Sequence, residues 1–168
     1  EVTNAVQGSV CTFIRMQGCT ARCTYCDTPS SQSPYDGEQV SINEIRERVD
    51  TLRIKTDNIT ITGGEPLEQE AELVDLLRML REKVFRRHIT VETNGLWPIK
   101  TVSPYIDCIV MDYKMQSKDN PITLKNMYLL NREDWLKIPI QSAREFSTAL
   151  KVRDYLLSRK DNLYPRIA

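Results

Sequence analysis

A chain of 168 residues, 40% apolar and 27% charged, has the length and composition of one globular domain with its own core, and residues 1–168 read as that single domain. Its 23 basic and 23 acidic side chains cancel, so no bulk field draws it to nucleic acid or to an acidic membrane surface, and neither is an expected partner. No run of about 18 apolar residues offers a membrane span, and the opening EVTNAVQGSV lacks both regions of a secretory leader.

In chain order, VCTFIRM (10–16) is rich in β-branched and aromatic residues and predicts a short buried strand. The loop GCTARCTYCDT (18–28) follows, then a polar run full of turn formers, TPSSQSPYDGEQ (28–39). Ser41 with Glu44 makes a capping box, and Ile42, Ile45, Val49 and Leu52 carry a helical stripe to about residue 53. NITIT (58–62) predicts a strand that GGEP (63–66) ends, and EAELVDLLRMLREKV (70–84) an amphipathic helix. HITVET (88–93) is a strand closed by the Asn94-Gly95 turn, and DCIVMDY (107–113) is another buried strand. Pro121 suits the first turn of a helix through about Leu130. WLKIPI (135–140), AREFSTALKVRDYLLSRK (143–160) and NLYPRI (162–167) complete the chain as strand, helix and strand.

Strands and helices thus alternate six times, which predicts parallel strands joined by right-handed crossovers. Six units are too few to close an eight-stranded barrel, so the expected fold is α/β, an open, mostly parallel sheet forming a partial (β/α)6 barrel. The active face of such a sheet lies at the carboxyl ends of its strands. There the cysteine loop, GGEP, ETNG (92–95) and MDYK (111–114) all leave their strands, so one shared site is expected.

Five cysteines, three within eight residues, suit a metal site in a reducing cytoplasm better than a disulfide framework. Cys19, Cys23 and Cys26 stand at a C-x3-C-x2-C spacing, and thiolates select iron–sulfur clusters or zinc. A structural zinc usually takes four ligands, and no second such pair lies nearby. His88, the only histidine, starts an inner strand and reads as structural rather than as a fourth ligand. Three sulfurs on a [4Fe–4S] cluster leave one iron with open positions, which is where chemistry can occur. Cys11 and Cys108 lie in apolar strands and read as small buried hydrophobes. Arg15, in the otherwise apolar first strand, could pair a substrate carboxylate bidentately if it points inward.

Cys19, Cys23, Tyr25 and Cys26, followed downstream by Gly63-Gly64-Glu65-Pro66, resemble the signature of the radical S-adenosylmethionine (SAM) superfamily. That resemblance implies a partial barrel and a [4Fe–4S] cluster that chelates SAM at its open iron. One electron then cleaves SAM to a 5′-deoxyadenosyl radical, so the radical rather than a protein side chain carries the chemistry. Within the superfamily, VQG (6–8), FIRMQGC (13–19), CDT (26–28), ETNG and MDYK resemble the 7-carboxy-7-deazaguanine synthase family. This implies a lyase converting 6-carboxy-5,6,7,8-tetrahydropterin to 7-carboxy-7-deazaguanine with loss of ammonia, in queuosine-type biosynthesis. SAM would be contacted by Tyr25, Cys26, Asp27, Gly63, Gly64, Glu65, Gly95, Asp112, Tyr113 and Lys114. Magnesium would be ligated by Thr28, and the pterin contacted by Val6, Gln7, Gly8, Arg15 and Thr93.

By the same resemblance the protein is a cytoplasmic homodimer served by an electron donor such as flavodoxin or ferredoxin. QG runs directly into SVCTF, MDYKMQSKDN lacks the family's serine–glycine continuation, and the chain stops at LYPRIA. The N-terminal loop and C-terminal end are therefore expected to be shortened. The alternative is an activating enzyme that makes a glycyl radical on a partner protein, which would share the cluster and SAM but need no threonine-bound magnesium.

Overall fold

Ile59, Ile61, Ile89, Val91, Ile109 and Met111 alternate with Thr60, Thr62, Thr90, Glu92, Cys108 and Val110, so the sheet has one aliphatic face and one largely polar face. In the computed structural model, which describes residues 8–52, 56–82, 87–159 and 164–168, these residues belong to a six-stranded sheet. Its strands are β1 (Thr12–Met16), β2 (Asn58–Gly63), β3 (His88–Thr93), β4 (Cys108–Asp112), β5 (Trp135–Lys137) and β6 (Arg166–Ile167). They pair in parallel in chain order from β1 to β6. With right-handed crossovers, sequential order puts every connection on the same side of the sheet, which is the half-barrel arrangement.

The helices are α1 (Ile42–Leu52), α2 (Glu70–Arg81), α3 (Pro121–Leu129) and α4 (Ala143–Leu157). Each gives side chains to one core with the aliphatic sheet face: Val49 from α1, Leu73 and Leu77 from α2, Met127 from α3, Ala149 and Leu156 from α4. Their starts follow from local chemistry. Ser41 Oγ accepts from the Glu44 amide at 3.2 Å, and Ser142 caps α4 through the Glu145 amide at 3.2 Å. Asn120 Oδ1 accepts from Ile122 at 2.8 Å, with Pro121 at the first helical position. No helix of the described residues is long and apolar enough to cross a membrane.

The structure departs from the sequence reading in three places. β3 and β4 are joined by a loop carrying only a single 3-10 turn, Ser103–Tyr105, so the expected alternation lacks one helix there. Pro98 and Pro104 interrupt that segment and deny it a helical backbone. β1 is an edge strand rather than a buried one: Phe13 and Arg15 face the polar side, Phe13 is 48% exposed, and Cys11 before it is half-buried. β5 and β6 shrink to three and two residues; Pro139, without an amide donor, follows close on β5.

Candidate active site

The polar sheet face becomes a cleft because the loops leaving β1 to β5 rise around its carboxyl end. The cleft has a volume of about 350 Å³. Its floor comes from sheet residues pointing away from the helices, among them Arg15, Thr62, Glu92 and Val110. Its walls come from the cysteine loop, the two glycines after β2, and Asp112 and Lys114 after β4.

Close backbone packing joins two of these walls. Gly64 N donates to Met16 O at 2.9 Å and Glu65 N to Gly18 O at 2.8 Å. A Cβ on Gly63, whose φ is +136°, would stand 2.0 Å from Met16 O, and one on Gly64 would stand 2.0 Å from Gly18 O. Only glycine allows the turn after β2 to lie against the start of the cysteine loop. That loop is pinned again by Gly18 N to Ser31 O (2.9 Å), by Cys19 N to Gln32 O (3.1 Å) and by the Thr20 amide and hydroxyl on Glu68 (both 2.7 Å).

Glu65 is fully buried behind the cleft. Its carboxylate accepts from Leu67 N at 3.0 Å, the Thr93 hydroxyl at 2.8 Å and Asn94 N at 2.6 Å. Burial pushes its pKa up to about 7, against these three donors, which favour the charged form. Asn94 in turn points its side-chain amide at Cys19 Sγ, 3.9 Å away.

Cys19, Cys23 and Cys26 are free thiols, all partly exposed and all lining the cleft. Burial raises the Cys19 pKa. Among the described residues no three His, Cys, Asp or Glu side chains converge on a point that would hold a single metal ion. The thiols share a cleft without meeting. A thiol-only donor set of this kind fits a cluster that offers each sulfur its own iron.

Two polar groupings complete the walls. Lys114 Nζ contacts Asp112 Oδ2 at 2.6 Å and lies 5.3 Å from the centre of the Tyr25 ring, whose hydroxyl reaches Gln116 at 3.2 Å. Burial works against the Lys114 charge, but Asp112 outweighs it and the net shift is upward. Arg15 Nη1 donates to Thr28 Oγ1 at 3.5 Å, and Thr28 donates to Asp27 Oδ1 at 3.1 Å.

Of the residues expected in the site, Arg15, Tyr25, Asp27, Thr28, Gly63, Gly64, Thr93, Asp112 and Lys114 line this cleft with the three cysteines. Glu65, Gly95 and Tyr113 stand behind it: Gly95 has φ +76° and packs against Asp112 O, and Tyr113 is 4% exposed in the core. Gly8 is exposed and away from the cleft lining, and Val6 and Gln7 lie outside the described residues. His88, Cys11 and Cys108 do not line it; burial lifts the Cys108 thiol to about 12. The sequence reading missed Thr62, Glu92, Val110 and Lys137, which the period-two alternation of otherwise aliphatic strands could have exposed.

Residues 13–156 match the Radical SAM superfamily. A 7-carboxy-7-deazaguanine synthase of Clostridium acetobutylicum is 31% identical over 163 residues, covering 94% of this chain and 72% of the relative. The chain belongs to the 7-carboxy-7-deazaguanine synthase family of radical SAM enzymes. A second family member, from Leptospira interrogans, is 30% identical over 83% of this chain and 66% of its own length. The chain thus spans about two thirds of the length of these curated relatives. A crystal structure of QueE from Escherichia coli shares the fold at a TM-score of 0.57 and 14% identity, over 100% of this chain and 89% of that one. Membership in the synthase family does not favour the glycyl-radical alternative, and superfamily membership implies SAM and a [4Fe–4S] cluster. Cys19, Cys23 and Cys26 are the residues of this synthase-family chain that fit the cluster.

Proposed function

We propose that the chain, acting as one radical SAM domain, is the lyase that converts 6-carboxy-5,6,7,8-tetrahydropterin to 7-carboxy-7-deazaguanine with loss of ammonia, in 7-deazaguanine (queuosine-type) biosynthesis. The observation that carries the reading is the juxtaposition of Arg15 and Thr28 beside three free thiols in one polar cleft. Cys19, Cys23 and Cys26 would hold a [4Fe–4S] cluster, which when bound would supply the single electron for reductive cleavage of SAM.

The protein's own groups bind and orient. Tyr25, Cys26, Asp27, Gly63, Gly64, Asp112 and Lys114 form the SAM wall, with Gly95 and Tyr113 shaping its back. Glu65 acts through Thr93 and Asn94, whose positions two of its hydrogen bonds fix. Thr28, with the Asp27 carboxylate beside it, is a hard-oxygen site suited to Mg2+ that retains substrate oxygens in its shell. Arg15 stands beside Thr28, so its guanidinium and a Mg2+ held by Thr28 would give the substrate two separate anchors. Thr93 and the 6–8 segment would contact the pterin. Fixing C6 toward the SAM ribose in this way can supply several kcal/mol of the rate enhancement. Flavodoxin or ferredoxin as donor, a homodimer and a cytoplasmic location belong to the same proposal.

The deciding assay is anaerobic turnover of the pterin by the cluster-loaded full chain with SAM, reductant and Mg2+. The deazaguanine should form, and Arg15→Ala should lower kcat/KM by about a hundredfold or more while SAM affinity holds. SAM cleavage without any change to the pterin would defeat the substrate reading.

A further inference from the structure

Sheet order puts β2 and β3 between β1 and β4, so a contact from the cysteine loop to the residues after β4 crosses the cleft instead of running along its wall. One side chain makes that crossing. The Tyr25 hydroxyl donates to Gln116 Oε1 at 3.2 Å, among the described residues the one hydrogen bond between residues 18–28 and the segment after β4. The centre of its ring lies 5.3 Å from Lys114 Nζ, which Asp112 Oδ2 holds at 2.6 Å. Tyr25 is thus gripped at two points, at the ring by a cation whose place is fixed and at the hydroxyl by an amide. Gln116 is exposed, yet the turn that presents it, Met115–Ser117, is tied down. Ser117 N and Oγ both donate to Lys114 O at 2.9 Å, Asn120 N donates to Ser117 O at 2.9 Å, and Met115 packs against the core. The stretch MDYKMQSKDN lacks the family's serine–glycine continuation, so the family motif does not supply Gln116.

We infer that Gln116 is a positioning residue for SAM binding, holding the Tyr25 hydroxyl so that the ring stays on the SAM wall between the cysteine loop and Asp112. The inference rests on the placement of Tyr25 in that wall proposed above. A tyrosine side chain turns about two bonds, and a contact at the ring alone leaves it free to swing between staggered positions. The second contact, at the hydroxyl, removes that freedom before any ligand arrives. A side chain already ordered in the free protein loses less entropy when the ligand binds, so affinity rises without a new contact. The Tyr25–Gln116 bond also ties the loop that carries Cys23 and Cys26 to the far wall of the cleft. Water competes for both partners of an exposed, neutral hydrogen bond, so the effect on affinity is modest and reaches SAM through Tyr25.

The test reads equilibrium dialysis of SAM against the cluster-loaded full chain, without reductant or pterin, and measures iron content on the same samples. Tyr25→Ala should weaken SAM about tenfold or more, since an aromatic ring against a nucleobase contributes affinity of that order. Gln116→Leu, of similar length but unable to accept, should weaken SAM about three- to tenfold with iron content unchanged. Tyr25→Phe should match it, and the two changes together should cost no more than either alone, because both remove the same hydrogen bond. Gln116→Glu, which keeps an acceptor oxygen, should recover most of the affinity. A turn with only a structural role would show neither the shared loss nor the recovery. Wild-type SAM affinity in Gln116→Leu, or losses that add in the double variant, overturns the assignment. If Gln116→Leu loses iron, Tyr25→Phe decides in its place, and wild-type affinity there overturns the assignment as well. Unchanged affinity in Tyr25→Ala removes Tyr25 from the SAM wall and takes the assignment with it, whereas a loss in Tyr25→Ala with none in Gln116→Leu overturns this assignment alone.

Discussion

Glu65 sits where two demands on one side chain conflict. Three donors hold its carboxylate, yet full burial lifts its pKa from 4.5 to about 7. With the folded pKa above the unfolded one, the native state binds the extra proton between those values, so stability falls as pH rises from about 4.5 to 7. The span corresponds to a loss on the order of 3 kcal/mol at neutral pH. Glu65→Gln removes the titration but gives Asn94 N a donor where it had an acceptor, at a cost of about 1–3 kcal/mol. The variant should therefore be the less stable protein at pH 5, with the gap narrowing toward pH 8. Denaturant midpoints across that range decide it: a gap that stays constant would mean that Glu65 does not titrate there. The same side chain shows what sequence hides. GGEP was legible as a motif, but nothing in its spelling says that its acid turns away from the cleft to hold Thr93 and Asn94.

At the scale of elements, the cysteine loop and the turn after β2 behave as one unit, zipped by Gly64 N to Met16 O and Glu65 N to Gly18 O. Gly64→Ala would place its Cβ 2.0 Å from Gly18 O, a backbone atom that cannot step aside without moving the loop. Such overpacking costs about 1–3 kcal/mol, and here the displaced element carries Cys19. The expected outcome is a lower unfolding midpoint together with reduced iron content after reconstitution. Gly8→Ala meets nothing within 4 Å and bears only the strain of its φ of +80°, so iron loading there should match wild type. Equal iron content in the Gly64 variant would show the two elements to be independent.

Elements with a strong local signal were readable from sequence. β3 came out to the residue and α1 began where the Ser41 cap places it. The two-residue β6 was not readable, because tertiary pairing sets it, whereas Pro98 and Pro104 already argue against a helix between β3 and β4. Cleft residues divide the same way. Cys19, Cys23, Cys26 and Lys114 belong to contiguous motifs, whereas Thr62, Glu92 and Lys137 meet only once the strand register is known.

Across the whole molecule, core and site occupy opposite faces of one sheet. Ile59, Ile61, Ile89, Val91 and Met111 pack against the helices, while the thiols stand in the cleft on the other face. The aliphatic face alone supplies a continuous buried core, so the fold should not depend on a bound cluster for its existence. Small metal-dependent domains differ, because metal binding there is itself the folding energy. A cluster-free chain, obtained as Cys23→Ala, should therefore keep its far-UV circular dichroism and unfold in one cooperative transition. What it should lose is local order in the loop between the pinned residues Thr20 and Ser31, where regular structure is limited to a short turn at Pro29–Ser31. Arg22 lies exposed in that loop at φ +49°, a conformation a non-glycine residue leaves readily once the thiols are unrestrained. Trypsin should cut the cluster-free chain first after Arg22, and the reconstituted wild type far more slowly at that bond, since cleavage follows the population of the locally opened form. If the cluster-free chain loses its circular dichroism, the cluster holds the fold as well as the site. If instead Arg22 is cut equally fast with and without the cluster, the loop is ordered by its backbone pins alone.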